Sequence, residues 1–143
     1  MVPFDRFAVV LDACTAVEAA FPDALVKADL PESPILDPVD VKDRHVVVTT
    51  MVAQADAIVT FNLADFAASH LSEKLQIEVI HPDDFVMDLV DLNEKRAVAA
   101  FRELRARKKK PPMDSAELIR RLRDSGLVQT SLWLNTSDVV ELI

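Results

Sequence analysis

Glycine is almost missing from this sequence: Gly126 is the only one among 143 residues. Glycine-rich phosphate loops and dinucleotide-binding turns are therefore excluded. Cysteine is equally scarce, and the single Cys14 excludes an internal disulfide and is typical of a reducing compartment. We find no signal peptide and no apolar run long enough to span a membrane, so we expect a soluble cytoplasmic protein with no membrane partner.

Positive charge is also scarce over most of the chain, and the formal net charge is −8. Residues 1–101 carry 7 basic and 18 acidic side chains, whereas residues 102–143 carry 9 basic and 6 acidic ones. A basic tail of this kind could bind a nucleic-acid backbone. Alternatively, it is a solvated helix face with cations near the helix C-terminus, where the dipole favours them. The basic residues are Arg102, Arg105, Arg107, Lys108, Lys109, Lys110, Arg120, Arg121 and Arg123.

Half of the residues are hydrophobic, which is enough for a packed core. Three short apolar segments have the composition of buried strands: FAVVLDA at 7–13, DAIVTFN at 56–62 and IEVIHP at 77–82. Helical patterns separate the last two segments and follow the third. This alternation predicts βαβ units and a parallel sheet, and hence an α/β fold.

The helices are predicted from their caps and their apolar spacing. LADFAASHLSEKLQ (63–76) and PDDFVMDLVDL (82–92) are typical of helices, and Asn93 caps a helix that begins at residue 94. Asp114 or Ser115 caps AELIRRLRDS, and two short helical pieces follow in LVQTSLWL and SDVVELI. DRHVVVTTMVAQ (43–54) is ambiguous, because its β-branched residues favour a strand while Asp40 and Asp43 favour a helix start.

Polar side chains with oxygen ligands follow the predicted strands. Asp12 ends the first strand, Asn62 and Asp65 end and follow the second, and Asp43 begins the helix between them. The carboxyl ends of parallel strands meet at one sheet edge, where α/β proteins place their sites. Carboxylate oxygens suit Mg²⁺ or Mn²⁺, and such ions can hold the reacting oxygens of a phosphodiester.

Each of these residues also has a purely structural interpretation. Asp12 could simply end a strand, and Asp65 could begin the next helix. Asp40 and Asp43 could be ordinary helix caps, since both stand before an apolar run. His45 is interpreted as a structural residue rather than a ligand.

Several segments together resemble the PIN-domain family. VVLDAC (9–14) is similar to the opening motif of that family, and DVKDRHVVVTTMVAQADAIVTFNLADF (40–66) is similar to its second conserved block. The D-R-H and T-F-N-x-x-D-F motifs in that block resemble those of a bacterial group among the ribonuclease toxins of toxin–antitoxin pairs. EVIHPDDFVMDLVDL continues like the C-terminal extension of that group. The resemblance also favours a helix for DRHVVVTTMVAQ.

The resemblance implies a Rossmann-like, three-layer α/β sandwich on a short parallel sheet, bound Mg²⁺ and cleavage of single-stranded RNA. Asp12 matches the first acid of the family, Asp43 the third, and Asn62 and Asp65 the fourth region. Asp12, Asp43 and Asp65 are thereby the expected metal ligands, and these three with Asn62 form the expected catalytic set. The second acid, usually a Glu on a helix in the middle of the domain, is missing, because CTAVEAA bypasses that middle.

From this we expect a shortened PIN-like domain over residues 1–92 and a helical extension over 93–143 that packs on it. With one acid missing, cleavage should be weak or absent, unless Glu18 replaces that acid. Two alternatives remain: a non-catalytic module that binds an antitoxin-like protein, and a nucleic-acid-binding protein that uses the basic tail. The missing middle would expose apolar sheet surface, so we expect either a homodimer or an apolar tail that folds back over the sheet.

Overall fold

The computed structural model describes residues 9–11 and 33–143, with the backbone alone for residues 9–11. The chain divides after His81 into two compact units, which we call the α/β part and the helical part. The sequence placed the boundary after Leu92 instead. The helix Pro82–Leu92 lies with the second unit because it packs against two helices of that unit, Glu94–Arg107 and Val128–Leu134.

The α/β part contains three strands: β1 (Val9–Leu11), β2 (Ala57–Val59) and β3 (Glu78–Ile80). They form one parallel sheet in the order β1-β2-β3, with Val9 beside Ala57 and Ala57 beside Glu78. The α/β class and the parallel sheet predicted from the sequence are confirmed. The strands are shorter than predicted, since β2 and β3 each have three residues.

Two α-helices and three 3₁₀ turns complete the described residues of the α/β part. Helix α1 (Arg44–Val52) precedes β2, and helix α2 (Ala68–Leu75) connects β2 to β3. The 3₁₀ turns are Pro34–Leu36, Val41–Asp43 and Leu63–Phe66. The segment predicted as one helix over 63–76 is thus a 3₁₀ turn followed by an α-helix.

Helix α1 forms although six of its nine residues are β-branched. Val46, Val47 and Val48 are buried, so tertiary packing outweighs their weak helix propensity. The hydroxyls of Thr49 and Thr50 donate to the carbonyls of His45 and Val46 at 2.8 and 2.7 Å, which satisfies both groups inside the helix. The helical prediction for DRHVVVTTMVAQ is confirmed.

The shortage of glycine shows in the way helices end in the α/β part. Gln54, which follows α1, and Gln76, which follows α2, adopt φ values of 53° and 51°. This left-handed conformation is usual at helix ends but favours glycine, because a Cβ there crowds the backbone. The amide of Gln76 donates to the carbonyl of Leu71, so the end of α2 remains hydrogen-bonded despite the missing glycine.

The core of the α/β part lies around α1, β2 and α2. Phe66, Ile58 and Leu71 are its largest fully buried side chains. His70, on α2, donates through Nε2 to the carbonyl oxygen of Ile35 at 2.6 Å, so this helix is tied to the first 3₁₀ turn. The complete cluster is Leu36, Val39, Val46, Val47, Val48, Ile58, Phe66, Leu71 and Ile77.

The helical part consists of α3 (Pro82–Leu92), α4 (Glu94–Arg107), α5 (Ser115–Asp124), α6 (Val128–Leu134) and α7 (Ser137–Val140). The predicted caps are present. Asn93 accepts from the amide of Arg96 at 3.1 Å, and Asp114 accepts from the amide of Glu117 at 2.8 Å. Gly126 follows α5 with φ 94°, as expected for a residue that ends a helix.

The helical part has its own hydrophobic core. It consists of Val98, Met113, Leu118, Leu134, Val139 and Ile143. The apolar end of the chain, expected to cover the sheet or to pair with a second copy, therefore supplies three side chains to this core: Leu134, Val139 and Ile143. Among the described residues, no helix is long and apolar enough to cross a membrane.

Candidate functional site

The ends of β2 and β3 form the starting point of the candidate site. The amide of Thr60 donates to the carbonyl of Ile80 at 3.0 Å, which continues the pairing of the two strands beyond Val59. The buried hydroxyl of Thr60 then accepts from the amide of Asn62 at 3.1 Å. This bond fixes the turn by which the chain leaves β2, and so it positions Asn62 at the edge of the sheet.

An aromatic pair also lies at these strand ends. The rings of Phe61 and His81 are 5.2 Å apart and perpendicular to each other. Phe61 is 55% exposed, although it is a large hydrophobic residue. An edge-to-face contact holds the ring in place while leaving a face open to solvent.

A backbone hydrogen bond joins the two turns that carry the predicted acids. Asp65 lies in the 3₁₀ turn that follows Asn62, and its carbonyl accepts from the amide of Asp40 at 2.8 Å. Asp40 begins the turn Val41–Asp43, so Asp43 lies one short turn away from this bond. The Lys42 ammonium lies 3.7 Å from a carboxylate oxygen of Asp65.

The structure separates the roles of Asp40 and Asp43. The Asp40 side chain accepts from the amide of Lys42 at 3.1 Å and is exposed, which makes it the cap of the turn. Asp43 is 7% exposed, although aspartate is seldom buried. The helix-cap interpretation therefore holds for Asp40, while burial distinguishes Asp43.

The other residues of the D-R-H motif are Arg44 and His45. Arg44 reaches back from the start of α1: its Nε donates to the carbonyl of Val39 at 3.1 Å, and its Nη2 donates to that of Asp37 at 3.3 Å. These bonds fix the loop before Asp40. His45 is exposed on α1, and its interpretation as a structural residue rather than a ligand stays a prediction.

The structure thus brings Asn62, Asp65 and the turn that ends at Asp43 to one end of the sheet. Asp12 and Glu18 lie outside the described residues. Within residues 9–11 and 33–143, no three His, Cys, Asp or Glu side chains are grouped so that they could hold a metal ion. Two carboxylates and one amide are hard oxygen donors suited to Mg²⁺ or Mn²⁺, but a stable site needs further ligands.

One buried carboxylate of the helical part, Asp83, has a long-range role that the sequence did not indicate. Asp83, in the first turn of α3, accepts from the amides of Gln129 and Thr130 at 2.8 and 2.9 Å and from the Thr130 hydroxyl at 2.7 Å. These amides belong to the first turn of α6, whose own N-cap residue, Leu127, makes no side-chain cap. Asp83 therefore caps a helix 47 residues further along the chain.

Hydrogen bonds change the acidity of two carboxylates in the helical part. Burial raises the pKa of Asp83, but hydrogen bonds from Thr130 and Gln129 together outweigh it, so its pKa lies below the usual value. Hydrogen bonds from Arg120 and Arg121 lower the pKa of the Glu117 carboxyl to about 2. Both acids therefore stabilise helices rather than forming part of the candidate site.

Comparison with known proteins agrees with the resemblance seen in the sequence. Residues 82–135 match the family model of the VapC50 C-terminal domain. The chain is 42% identical over 60 residues to a Mycobacterium tuberculosis protein named "Putative ribonuclease VapC50"; this match covers 42% of the chain and 35% of that protein. The chain therefore spans about a third of the length of this relative. No solved structure matches the chain significantly. The resemblance to the VapC-type PIN-domain family is confirmed.

Proposed function

We propose that this protein is a shortened PIN-domain protein related to the Mg²⁺-dependent, single-strand endoribonucleases of toxin–antitoxin pairs, with weak or no cleavage activity of its own. The observation that carries the proposal is the 2.8 Å bond between the Asp40 amide and the Asp65 carbonyl, which joins the two acid-bearing turns at the end of the sheet. The proposal includes a three-layer sandwich, with the helical part as its extension, and a cytoplasmic location.

In this proposal Asp12, Asp43 and Asp65 hold one Mg²⁺ or Mn²⁺ ion. The ion, when bound, supplies a water molecule activated for attack on a phosphodiester. The burial of Asp43 limits competing hydration of its carboxylate. Asn62 lies beside the site as a neutral hydrogen-bonding group, and the exposed ring of Phe61 offers a face on which an RNA base stacks.

Weak activity follows from the missing second acid. Fewer carboxylates give a smaller negative charge and fewer oxygen donors, so the site binds a divalent ion less tightly. Mn²⁺ suits carboxylate ligands and generally binds a given site at least as well as Mg²⁺. We therefore expect any cleavage to be higher with Mn²⁺ than with Mg²⁺.

Cleavage of a mixed single-stranded RNA tests the proposal, with the Asp43→Asn variant beside the unchanged protein. We expect little cleavage in Mg²⁺, more in Mn²⁺, and none in the variant. Protection against thermal unfolding by Mn²⁺ gives a second readout, and it should be lost in Asp43→Asn. Strong, Asp43-dependent cleavage in Mg²⁺ would refute the weak-activity proposal and point to a replacement ligand such as Glu18. Equal Mn²⁺ protection of both proteins would refute the metal site.

A second candidate function is that of a non-catalytic module that binds an antitoxin-like protein. Three apolar side chains are exposed on the turns around the acids: Val41 at 70%, Phe61 at 55% and Leu63 at 37%. Apolar residues grouped in this way favour a protein partner. Charged substitutions at Val41 and Leu63 should then abolish partner binding while leaving metal protection unchanged.

We also propose a homodimer. Val128 and Leu132 lie four residues apart on α6 and are 49% and 66% exposed, so they form one apolar face. Light scattering across a dilution series should give a dimer mass that Leu132→Glu reduces to that of a monomer. Leu104→Glu, at another exposed leucine, is the matched control. A monomer mass for the unchanged protein at every micromolar concentration would refute the dimer.

A further inference from the structure

A groove lined by basic side chains lies between the end of α4 and the start of α5. The chain leaves α4 at Arg107 and turns back on itself, and Lys109 forms an antiparallel bridge with Pro112. Arg105 donates to the carbonyl of Met113 at 3.3 Å, which ties this turn to α4. The groove encloses about 290 Å³, and its lining includes Lys108, Lys110, Met113, Glu117 and Arg121.

The ion pairs of this region leave the groove positively charged. Glu117 accepts from both Arg120 and Arg121, at 2.8 Å each, so one carboxylate is shared by two cations. Within residues 33–143, Lys108 and Lys110 form no ion pair. Three cations therefore line the groove, Lys108, Lys110 and Arg121, against the single carboxylate of Glu117.

The basic residues of the tail lie partly on helix α5 and partly in the turn before it. Arg120 and Arg121 are neutralised on α5 by Glu117 and Asp124, as expected for a solvated helix face. Lys108 and Lys110 lie beyond the last residue of α4, in a turn, so they neither complete a helix face nor pair along it. The turn therefore carries cations that the carboxylates of α5 do not neutralise.

We propose that this groove binds the sugar–phosphate backbone of single-stranded RNA. Lysine is a mobile point charge suited to phosphate oxygens, and two lysines that form no ion pair within residues 33–143 provide a local attraction for a polyanion at the groove. A chain with net charge −8 repels a polyanion over most of its surface, so contact should be restricted to this turn. The choice of RNA rests on the proposed function, but binding here requires neither the metal nor cleavage.

Fluorescence anisotropy of a labelled oligouridylate, titrated with the full chain in EDTA, tests this proposal without cleavage. The test variant is Lys108→Gln/Lys110→Gln. The control is Lys74→Gln/Lys95→Gln, which removes two exposed lysines elsewhere and changes the net charge equally. Between about 50 and 200 mM salt, we expect the slope of log affinity against log salt to fall by about 1.4 in the test variant, because each lost phosphate contact on a single strand removes about 0.7.

Affinity at the lowest salt should fall about tenfold in the test variant, because two phosphate contacts are lost. The control should bind like the unchanged protein. Equal effects of the two double variants would overturn the groove, because only net charge would then matter. No effect of either variant would overturn it as well, because Lys108 and Lys110 would then contribute nothing to binding. Equally tight binding of oligoglutamate would overturn RNA as the ligand and point to an acidic protein segment. Binding is measured in EDTA, where no divalent ion is held, so failure of the groove and failure of the metal site are distinguishable.

Discussion

The acidic residues of the two parts of the molecule are held in different ways. In the helical part, Asp83 accepts three hydrogen bonds from the start of α6, including one from each of two backbone amides. In the α/β part, the Asp65 carboxylate lies 3.7 Å from the ammonium of an exposed lysine, Lys42. The Asp83 carboxylate caps helix α6, whereas the Asp65 carboxylate is partly exposed at the end of the sheet.

This difference separates acids that stabilise the fold from acids that could serve a site. A carboxylate that already accepts several backbone hydrogen bonds cannot coordinate an ion without exposing those donors. An acid on a turn beside strand ends, with part of its surface exposed, can gain a ligand at little structural cost. Asp65 is therefore a better candidate for a functional residue than Asp83, although Asp83 is the more deeply buried.

The largest effect should come from the core of the α/β part. Phe66→Ala removes a fully buried ring, and we expect the free energy of unfolding to fall by about 4 kcal/mol. Phe61→Ala, the matched control at an exposed ring, should cost less than about 1 kcal/mol. Urea unfolding followed by far-UV circular dichroism measures both.

The single tryptophan gives this experiment a second signal. Trp133 packs against Phe101 in the helical part, so its fluorescence reports that part. Because each part has its own core, Phe66→Ala should shift the dichroism transition much more than the fluorescence transition. Equal shifts of both signals would show that the two parts unfold as one unit, so their cores would not be independent.

The cap provided by Asp83 should give the next largest effect. Asp83→Ala leaves the amides of Gln129 and Thr130 without their acceptor, and we expect a loss of about 3 kcal/mol. Asp84→Ala is a close control, because the neighbouring Asp84 is exposed and, among the described residues, accepts from the Gln129 side chain alone, at 2.7 Å. Its loss should stay below about 1 kcal/mol. If urea unfolding shows similar losses of unfolding free energy for the two variants, the Asp83 cap does not stabilise α6 more than an exposed contact does.

Acid should destabilise the helical part in a smaller, graded way. The pKa of Asp83 is lower in the folded state than in the unfolded chain, so its stabilising effect is complete above the unfolded value of about 4. That effect is lost as the pH falls through the folded pKa. The free energy of unfolding, monitored by tryptophan fluorescence, should therefore fall below about pH 4, and it should fall less in Asp83→Asn. An equally steep decline in the variant would assign the effect to other carboxylates.

Local signals in the sequence predicted most of the secondary structure. The helix 82–92 was predicted with its observed bounds, because proline and two acids mark its start and Asn93 begins the next helix. The strands were located but drawn too long: the predicted second strand runs over 56–62, whereas β2 ends at Val59. The amide of Thr60 still donates to Ile80, but its hydroxyl then accepts from the amide of Asn62 and turns the chain away from the sheet.

Local sequence signals did not predict the long-range polar contacts. The bonds from Asp83 to α6 and from His70 to Ile35 join residues 47 and 35 positions apart. Asp83 had the sequence signature of a first-turn acid of its own helix, and nothing in the spacing indicated a second helix. For the site, strand-end positions predicted that Asn62 and Asp65 would approach the turn of Asp43, but not which acid would be buried.

The smallest effect on stability should come from Asp65, and it tests most directly whether Asp65 and Asp83 have different roles. Asp65→Asn removes a carboxylate whose ion pair with Lys42 joins side chains that are 35% and 70% exposed. Exposed pairs contribute little, and the amide keeps the shape of the carboxylate, so unfolding free energy should change by less than about 0.5 kcal/mol. Protection by Mn²⁺ should nevertheless disappear, because a carboxylate ligand has been lost. If Asp65→Asn instead destabilises the protein as much as Asp83→Ala does, both acids serve the fold, and the assignment of Asp65 to a site fails.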